Sequence, residues 1–238
     1  MSLLPKLNNV PKYNITIPSN NREISVRPFL VKEEKIMLIA LESQDPKQIA
    51  SGVLDTVRSC ILDDVSVDSL TSYDIEYLFL QLRCKSVGEI TDLLLKCNSC
   101  EHENKVSFNL NDIKMNVKTV QNKIKVTDDI ALEMKHPSFI SLANNENIVG
   151  EQTTTTDQIF SLIKESVVAV MSGDDRIDMK EVQLSEFQEF LESMTQQQFN
   201  SIRNYIENIP KLTHNINFQC EKCNEDNTIT VEGLQSFL

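Results

Sequence analysis

The chain has 238 residues, 40% of them hydrophobic and 24% charged, with a formal net charge of −12; this is the composition of a globular protein with room for one large core or two small ones. No apolar run approaches the roughly 20 residues needed to cross a bilayer. The opening Met1-Ser-Leu-Leu-Pro-Lys6 lacks the charged head and apolar centre of a secretory signal. A cytosolic protein is therefore expected, its six cysteines serving as thiols or metal ligands rather than disulfides. Up to Val126, 16 Lys/Arg balance 16 Asp/Glu, whereas beyond it 7 stand against 19. An acidic half of this kind is well solvated, repels phosphate backbones and disfavours nucleic-acid binding.

Tyr13, Ile15 and Ile17 alternate with polar residues, Pro18-Ser-Asn-Asn21 makes a turn, and Ile24 and Val26 alternate after it. Residues 12–28 thus read as a β-hairpin closed by Pro28. A helix over 31–43 contains Ile36-Met-Leu-Ile-Ala-Leu41, apolar around its circumference, so burial of this helix is expected. Asp45-Pro46 opens a second helix, with Asp as N-cap and Pro at the first helical position, and Ile49, Val53, Val57, Cys60 and Ile61 mark one face. A third begins near Thr71-Ser72, carries Ile75, Leu78, Phe79 and Leu82, and stops at Ser86-Val-Gly88.

The period then changes to two. Val106, Phe108 and Leu110 alternate, and Ile124 and Val126 face Leu132 and Met134 across Thr127-Asp-Asp129 as a second hairpin. Residues 143–157 read as a loop and 157–172 as helical. Ser185-x-x-Gln188 and Thr195-x-x-Gln198 predict two capping boxes, and His214, Ile216 and Phe218 alternate towards the C-terminus.

The strongest chemical signal is the pair Cys97-Asn-Ser-Cys100 and Cys220-Glu-Lys-Cys223. Two residues between cysteines let both sulfurs point at one ion while the backbone turns, and four thiolates match the tetrahedral shell of structural zinc. The flanks match as well. Each pair follows a strand-like approach (Ile90–Lys96, His214–Gln219), and each first cysteine is followed by an Asn seven residues on (Asn104, Asn227) and an apolar residue nine on (Val106, Ile229). Cys97, Cys100, Cys220 and Cys223 are thus the expected ligands of one zinc ion in a ribbon. The 119 residues between Cys100 and Cys220 form an insertion, which closure entropy tolerates because it grows slowly with loop length. A redox Cys-x-x-Cys and a site shared between two chains are the alternatives, and two pairs with matching flanks favour metal over redox.

Other candidates carry less. Cys60 lies on an apolar stripe, Cys84 sits between Arg83 and Lys85, and His102, His136 and His214 share no motif. Asp174-Asp-Arg-Ile-Asp178 fails the calcium-loop pattern, with Arg176 at a ligand position and Met179 in place of the turn glycine. With five glycines, no phosphate-cradling loop and no nucleophile elbow, an enzyme is not expected.

The expected class is α+β: an N-terminal β-hairpin and helical core with a four-cysteine zinc ribbon interrupted by a long insertion. The expected domains are residues 1–96 and a ribbon domain over 97–238 whose hairpin-and-helix insertion spans about 112–210. Three stretches carry a resemblance: Val26-Arg-Pro-Phe-Leu-Val-Lys-Glu-Glu-Lys35 continuing to Ser43, Leu82-Arg-Cys-Lys-Ser-Val-Gly-Glu89, and Gln198–Leu212. Together they resemble the T4-type bacteriophage baseplate hub assembly protein family. The resemblance spans most of the chain and is weakest from about Asp112 to Val182. It implies a chaperone-like factor or a subunit of the baseplate hub in a contractile-tailed phage. The partners would be other baseplate hub proteins, met in the host cytoplasm during assembly, with the virion tail baseplate as the final location of a retained subunit. The N-terminal half, with its apolar helix, is the better candidate for protein contact. The rival reading is a zinc-ribbon nucleic-acid-binding regulator. Glu101, Glu103, Glu221, Glu225 and Asp226 around the cysteine pairs oppose it.

Overall fold

The computed structural model describes residues 9–117, 121–145 and 155–236. The protein is α+β. Its contacts divide it into two units, one comprising the described residues of Met1–Val67, Tyr73–Asn116 and Lys211–Leu238, the other those of Asp68–Ser72 and Val117–Pro210.

In the first unit, β1 (Tyr13–Thr16) and β2 (Glu23–Val26) form the antiparallel hairpin, with Ile15 opposite Ile24. Alternation puts Ile15, Ile17, Ile24 and Val26 in the interior, all buried. The turn closes through Asn21, whose φ of 56° suits an Asn. Two helices follow, α1 (Val31–Ser43) and α2 (Pro46–Cys60), with Asp45 accepting Lys47 N–H at 2.9 Å as the N-cap. Their approach depends on Gly52, where an added Cβ would meet Ala40 Cβ at 3.1 Å and Met37 Sδ at 3.3 Å.

The Arg-Pro-Phe-x-x-Lys-Glu stretch proves to be a clamp. Arg27 Nη2 donates to Glu33 Oε1 and to the Ser59 carbonyl, both at 2.8 Å, and Nη1 to the Pro28 carbonyl at 3.0 Å. Glu33 Oε2 in turn accepts Leu30 N–H at 2.8 Å. One ion pair thus joins the exit of β2, the start of α1 and the end of α2. Phe29 stacks on Phe79 of α3 (Ser72–Ser86), centroids 6.4 Å apart, and its N–H donates to Ser86 Oγ at 2.9 Å.

The helix over 31–43 forms, but its expected burial does not hold. Only Glu33, Met37 and Ala40 are buried, while Leu38 is 55% and Ile39 54% exposed. An apolar circumference shows that a helix can be covered on all sides; α1 is packed on α2 along one.

Two further hairpins complete the unit. β3 (Ile90–Lys96) pairs with β4 (Glu103–Asn109), and β10 (Lys211–Gln219) pairs with β11 (Asp226–Glu232). β5 (Lys114–Asn116) adds to the free edge of β10, with Asn116 opposite Lys211. The intervening segment therefore leaves and re-enters on neighbouring antiparallel strands, which leaves the hairpins undisturbed. Leu80 and Cys84 of α3 share a core with Leu110, Ile113, Leu212, Ile216 and Val231. By contacts the hairpin residues therefore group with the N-terminal elements, whereas the expected boundary lay at 96/97.

The second unit holds a four-stranded antiparallel sheet in the order β6 (Lys123–Lys125), β7 (Ile130–Met134), β8 (Val167–Ser172), β9 (Asp175–Asp178). Ile124 pairs with Leu132 as the alternation predicts. Helices α4 (Phe139–Asn144), α5 (Thr155–Ser166), α6 (Leu184–Glu192) and α7 (Gln196–Glu207) accompany it. Leu132, Met134, Ile163, Val167, Phe187, Leu191 and Ile202 lie in its core.

Three expectations need revision here. The helix read over 157–172 ends at Ser166, and Val167–Ser172 is strand because β7 and β9 pair with it on both sides. Asp174–Asp178, where a charge run of this kind reads as a solvated turn, forms the end of the β8–β9 turn and β9 itself, turning at Gly173 with φ 58°. Ser185 is not an N-cap; the helix starts at Leu184 with Gln183 before it, which brings Phe187 and Leu191 inward. The Thr195 box forms, with Thr195 N–H donating to Gln198 Oε1 at 2.8 Å. Of the loop read over 143–157, residues 146–154 lie outside the described residues.

Candidate metal centre

Each cysteine pair occupies the tip of a hairpin, and the tips are built alike. Cys97 N–H donates to the His102 carbonyl at 2.9 Å, and Glu101 N–H to the Cys97 carbonyl at 3.0 Å. At the other tip Cys220 N–H donates to the Glu225 carbonyl and Asn224 N–H to the Cys220 carbonyl, both at 2.9 Å. Glu101 and Asn224, each four residues after its first cysteine, carry φ of 56° and 58°. These left-handed residues turn the chain sharply enough for both sulfurs of a tip to face the same way.

All four sulfurs lie within 4.8 Å of one another. Cys97 Sγ is 3.6 Å from Cys223 Sγ, and Cys100 Sγ is 3.7 Å from Cys220 Sγ. Four sulfurs placed tetrahedrally about 2.3 Å from one ion would be roughly 3.8 Å apart, so the cluster is the size of a four-thiolate shell. Cys97, Cys100, Cys220 and Cys223 can hold a metal ion. Cys97 and Cys220 are buried, Cys100 is half-buried and Cys223 is exposed.

The two tips are tied to each other by two buried asparagines. Asn104 Oδ1 accepts Glu221 N–H and Asn227 Oδ1 accepts Asn98 N–H, each at 2.9 Å. Each Nδ2 also donates to a carbonyl of its own tip, Asn104 to His102 at 2.9 Å and Asn227 to Glu225 at 2.8 Å. Asn227 Nδ2 further approaches Cys97 Sγ at 3.5 Å. The repeat marked both asparagines in the sequence; their reciprocal role was not readable from it.

The surroundings bias the sulfurs unequally. Burial pushes the Cys97 thiol up, but the N–H groups of Ser99 and Cys100 and the Asn227 carboxamide outweigh it and bring it down to about 6. Cys220 is likewise raised by burial and lowered further by the N–H groups of Cys223 and Lys222. At Cys223 the Glu225 N–H favours the thiolate, yet the neighbouring Cys100, burial, Cys97 and Cys220 push it up to about 12. Crowded thiolates repel and so share protons; a divalent cation in their midst replaces those protons.

The remaining candidates are placed elsewhere. Cys60 is fully buried with Arg27 Nη1 at 3.7 Å, and burial pushes its thiol up to about 11. Cys84 is buried and raised for the same reason. His214 stacks on Phe108 at 5.3 Å and His136 on Tyr205 at 5.6 Å. His102 contributes its carbonyl to the first tip. Around the sulfurs Glu101, Glu103, Glu221, Glu225 and Asp226 are all exposed, with Lys222 the one cation within the tips.

Comparison with individual characterised proteins and with solved structures gives no match. A family model described as T4 bacteriophage base plate protein matches residues 10–238, from ahead of β1 through both cysteine pairs. The chain therefore belongs to the T4 bacteriophage base plate protein family, with a structural or assembly role in the phage baseplate.

Proposed function

We propose that the protein is a non-enzymatic assembly factor or structural subunit of the baseplate hub of a contractile-tailed bacteriophage, stiffened by one zinc ion on Cys97, Cys100, Cys220 and Cys223. The observation that carries this reading is the family match over residues 10–238. Zinc is the metal of choice because four thiolates are soft ligands that fill a tetrahedral shell and leave no open position for a substrate. An ion held there ties together segments 120 positions apart, a rigid framework for presenting an assembly surface.

The partners in this reading are other baseplate hub proteins, met in the host cytoplasm during assembly or in the tail of the virion. Among the described residues no helix is long and apolar enough to cross a membrane. The exposed carboxylates around the tips speak against phosphate backbones as ligands, since counterion release needs a basic surface.

Mass spectrometry of purified mature tails tests the reading. Fixed stoichiometry identifies a hub subunit; absence from tails together with copurification on hub intermediates identifies an assembly factor. Recovery of DNA or RNA in place of baseplate proteins, persisting at about 0.15 M salt, would overturn both in favour of the regulator. Elemental analysis of reduced, chelator-free protein should give close to one zinc per chain.

A further inference from the structure

Helix α1 turns Glu33, Met37 and Ala40 inward. At 100° per residue, Val31, Lys35, Leu38, Ile39 and Glu42 fall together on the opposite side. Val31 is 79% exposed, and Leu30, Ile36 and Leu41 on the flanks are 39%, 43% and 37% exposed. Aliphatic side chains this dense on one exposed element mark a contact surface rather than the scattered apolar residues of an ordinary exterior.

The charges on this face indicate what covers it. Lys35 and Glu42 are exposed, and neither forms an ion pair among the described residues. In an antiparallel pair of identical helices, a two-fold axis makes every contact occur twice, residue i on j and j on i. An axis between Leu38 and Ile39 sets Leu38 on the partner's Ile39 and Lys35 on the partner's Glu42. The same spacing sets Ile36 on the partner's Leu41, so apolar meets apolar and cation meets anion across positions 35–42. Parallel pairing would instead set Lys35 on Lys35 and Glu42 on Glu42, a repulsive arrangement. The face is therefore complementary to its own copy in one orientation.

We propose that α1 is a homodimer interface, two copies of the chain packing antiparallel through Leu38 and Ile39 with reciprocal Lys35–Glu42 ion pairs. This inference is independent of the metal and of the hub.

Light scattering of the full chain at about 100 µM, where a contact with Kd of about 10 µM is mostly formed, should give a mass approaching twice the 27.1 kDa of one chain. Leu38→Glu should return the single-chain mass without altering circular dichroism or melting, because the side chain lies outside the core. Lys35→Glu and Glu42→Lys should each weaken association about tenfold, and the two combined in one chain should restore it, since the swapped charges meet again across the axis. A monomer at this concentration overturns the proposal, including one that captures a baseplate protein through Leu38. So does a dimer indifferent to Leu38→Glu, or a double swap that fails to rescue.

Discussion

Asn104 and Asn227 hold the two cysteine tips together by mirror-image bonds: each side-chain oxygen accepts the N–H of the residue that follows the other tip's first cysteine, at 2.9 Å in both directions. Both side chains are buried, at 2% and 3% exposure, so the accepting ends of these bonds are shielded from water. The four sulfurs are thereby brought to ligand spacing by the protein's own hydrogen bonds.

Removing either clasp leaves a backbone N–H without its partner. Asn104→Ala and Asn227→Ala should each cost about 1–3 kcal/mol, measured by urea unfolding. The aspartate variants separate the two positions. Asn227→Asp sets a carboxylate near Cys97 Sγ, where a donor stood at 3.5 Å, so it should lose metal to a chelator faster than Asn104→Asp.

Cys220→Ser should be far more damaging than Cys60→Ser. Cys60 is a buried thiol outside the four-sulfur cluster, and its replacement should cost about 1–2 kcal/mol. Cys220 belongs to the four-sulfur cluster, and structural zinc contributes on the order of 10 kcal/mol in small domains, a part of which would be lost from the proposed zinc site. Melting curves paired with metal content check this, and equal melting of the two variants would sink it.

Arg27→Met should destabilise the protein by about 3 kcal/mol, because Glu33, whose side chain is 2% exposed, would lose its buried partner and keep only the exposed Lys32. Burial pushes the Glu33 carboxyl up, but Arg27, the Leu30 N–H and Lys32 outweigh it and hold it below the ordinary carboxylate range. Its stabilisation is thus present above the unfolded value and lost as pH falls through the folded one. Unfolding across about pH 3 to 7 should show an acid loss in the native chain that Arg27→Met flattens.

Glu76 has the opposite sign. Burial pushes its carboxyl up to about 7, and only the Leu234 N–H opposes the shift. The folded protein therefore holds this proton more tightly than the unfolded chain. The associated stability is full below the unfolded value and is lost as pH rises through about 7. Glu76→Gln should remove that loss and leave the variant more stable than the native chain in mildly alkaline buffer, by a few kcal/mol. Identical pH–stability profiles would refute the assignment.

Features that depend on a few adjacent residues could be read from the chain alone. Alternation at Tyr13–Val26, the Asp45-Pro46 start of α2 and the Thr195 capping box are local, since each is settled by side-chain period or by a donor and acceptor two or three residues apart. That the four cysteines meet was also legible, because each Cys-x-x-Cys spacing implies a short tight turn that points both sulfurs one way. The rest depended on which distant segments came to lie side by side. Val167–Ser172 became strand because β7 and β9 lay on either side to pair with it, and Gln183 displaced Ser185 at the start of α6 because Phe187 and Leu191 had to face a core. The exposure of Leu38 and Ile39 followed from α1 being packed against α2 along one side. The asparagine clasp joins residues 117 and 129 positions apart, and no local pattern encodes which distant N–H a carboxamide will meet.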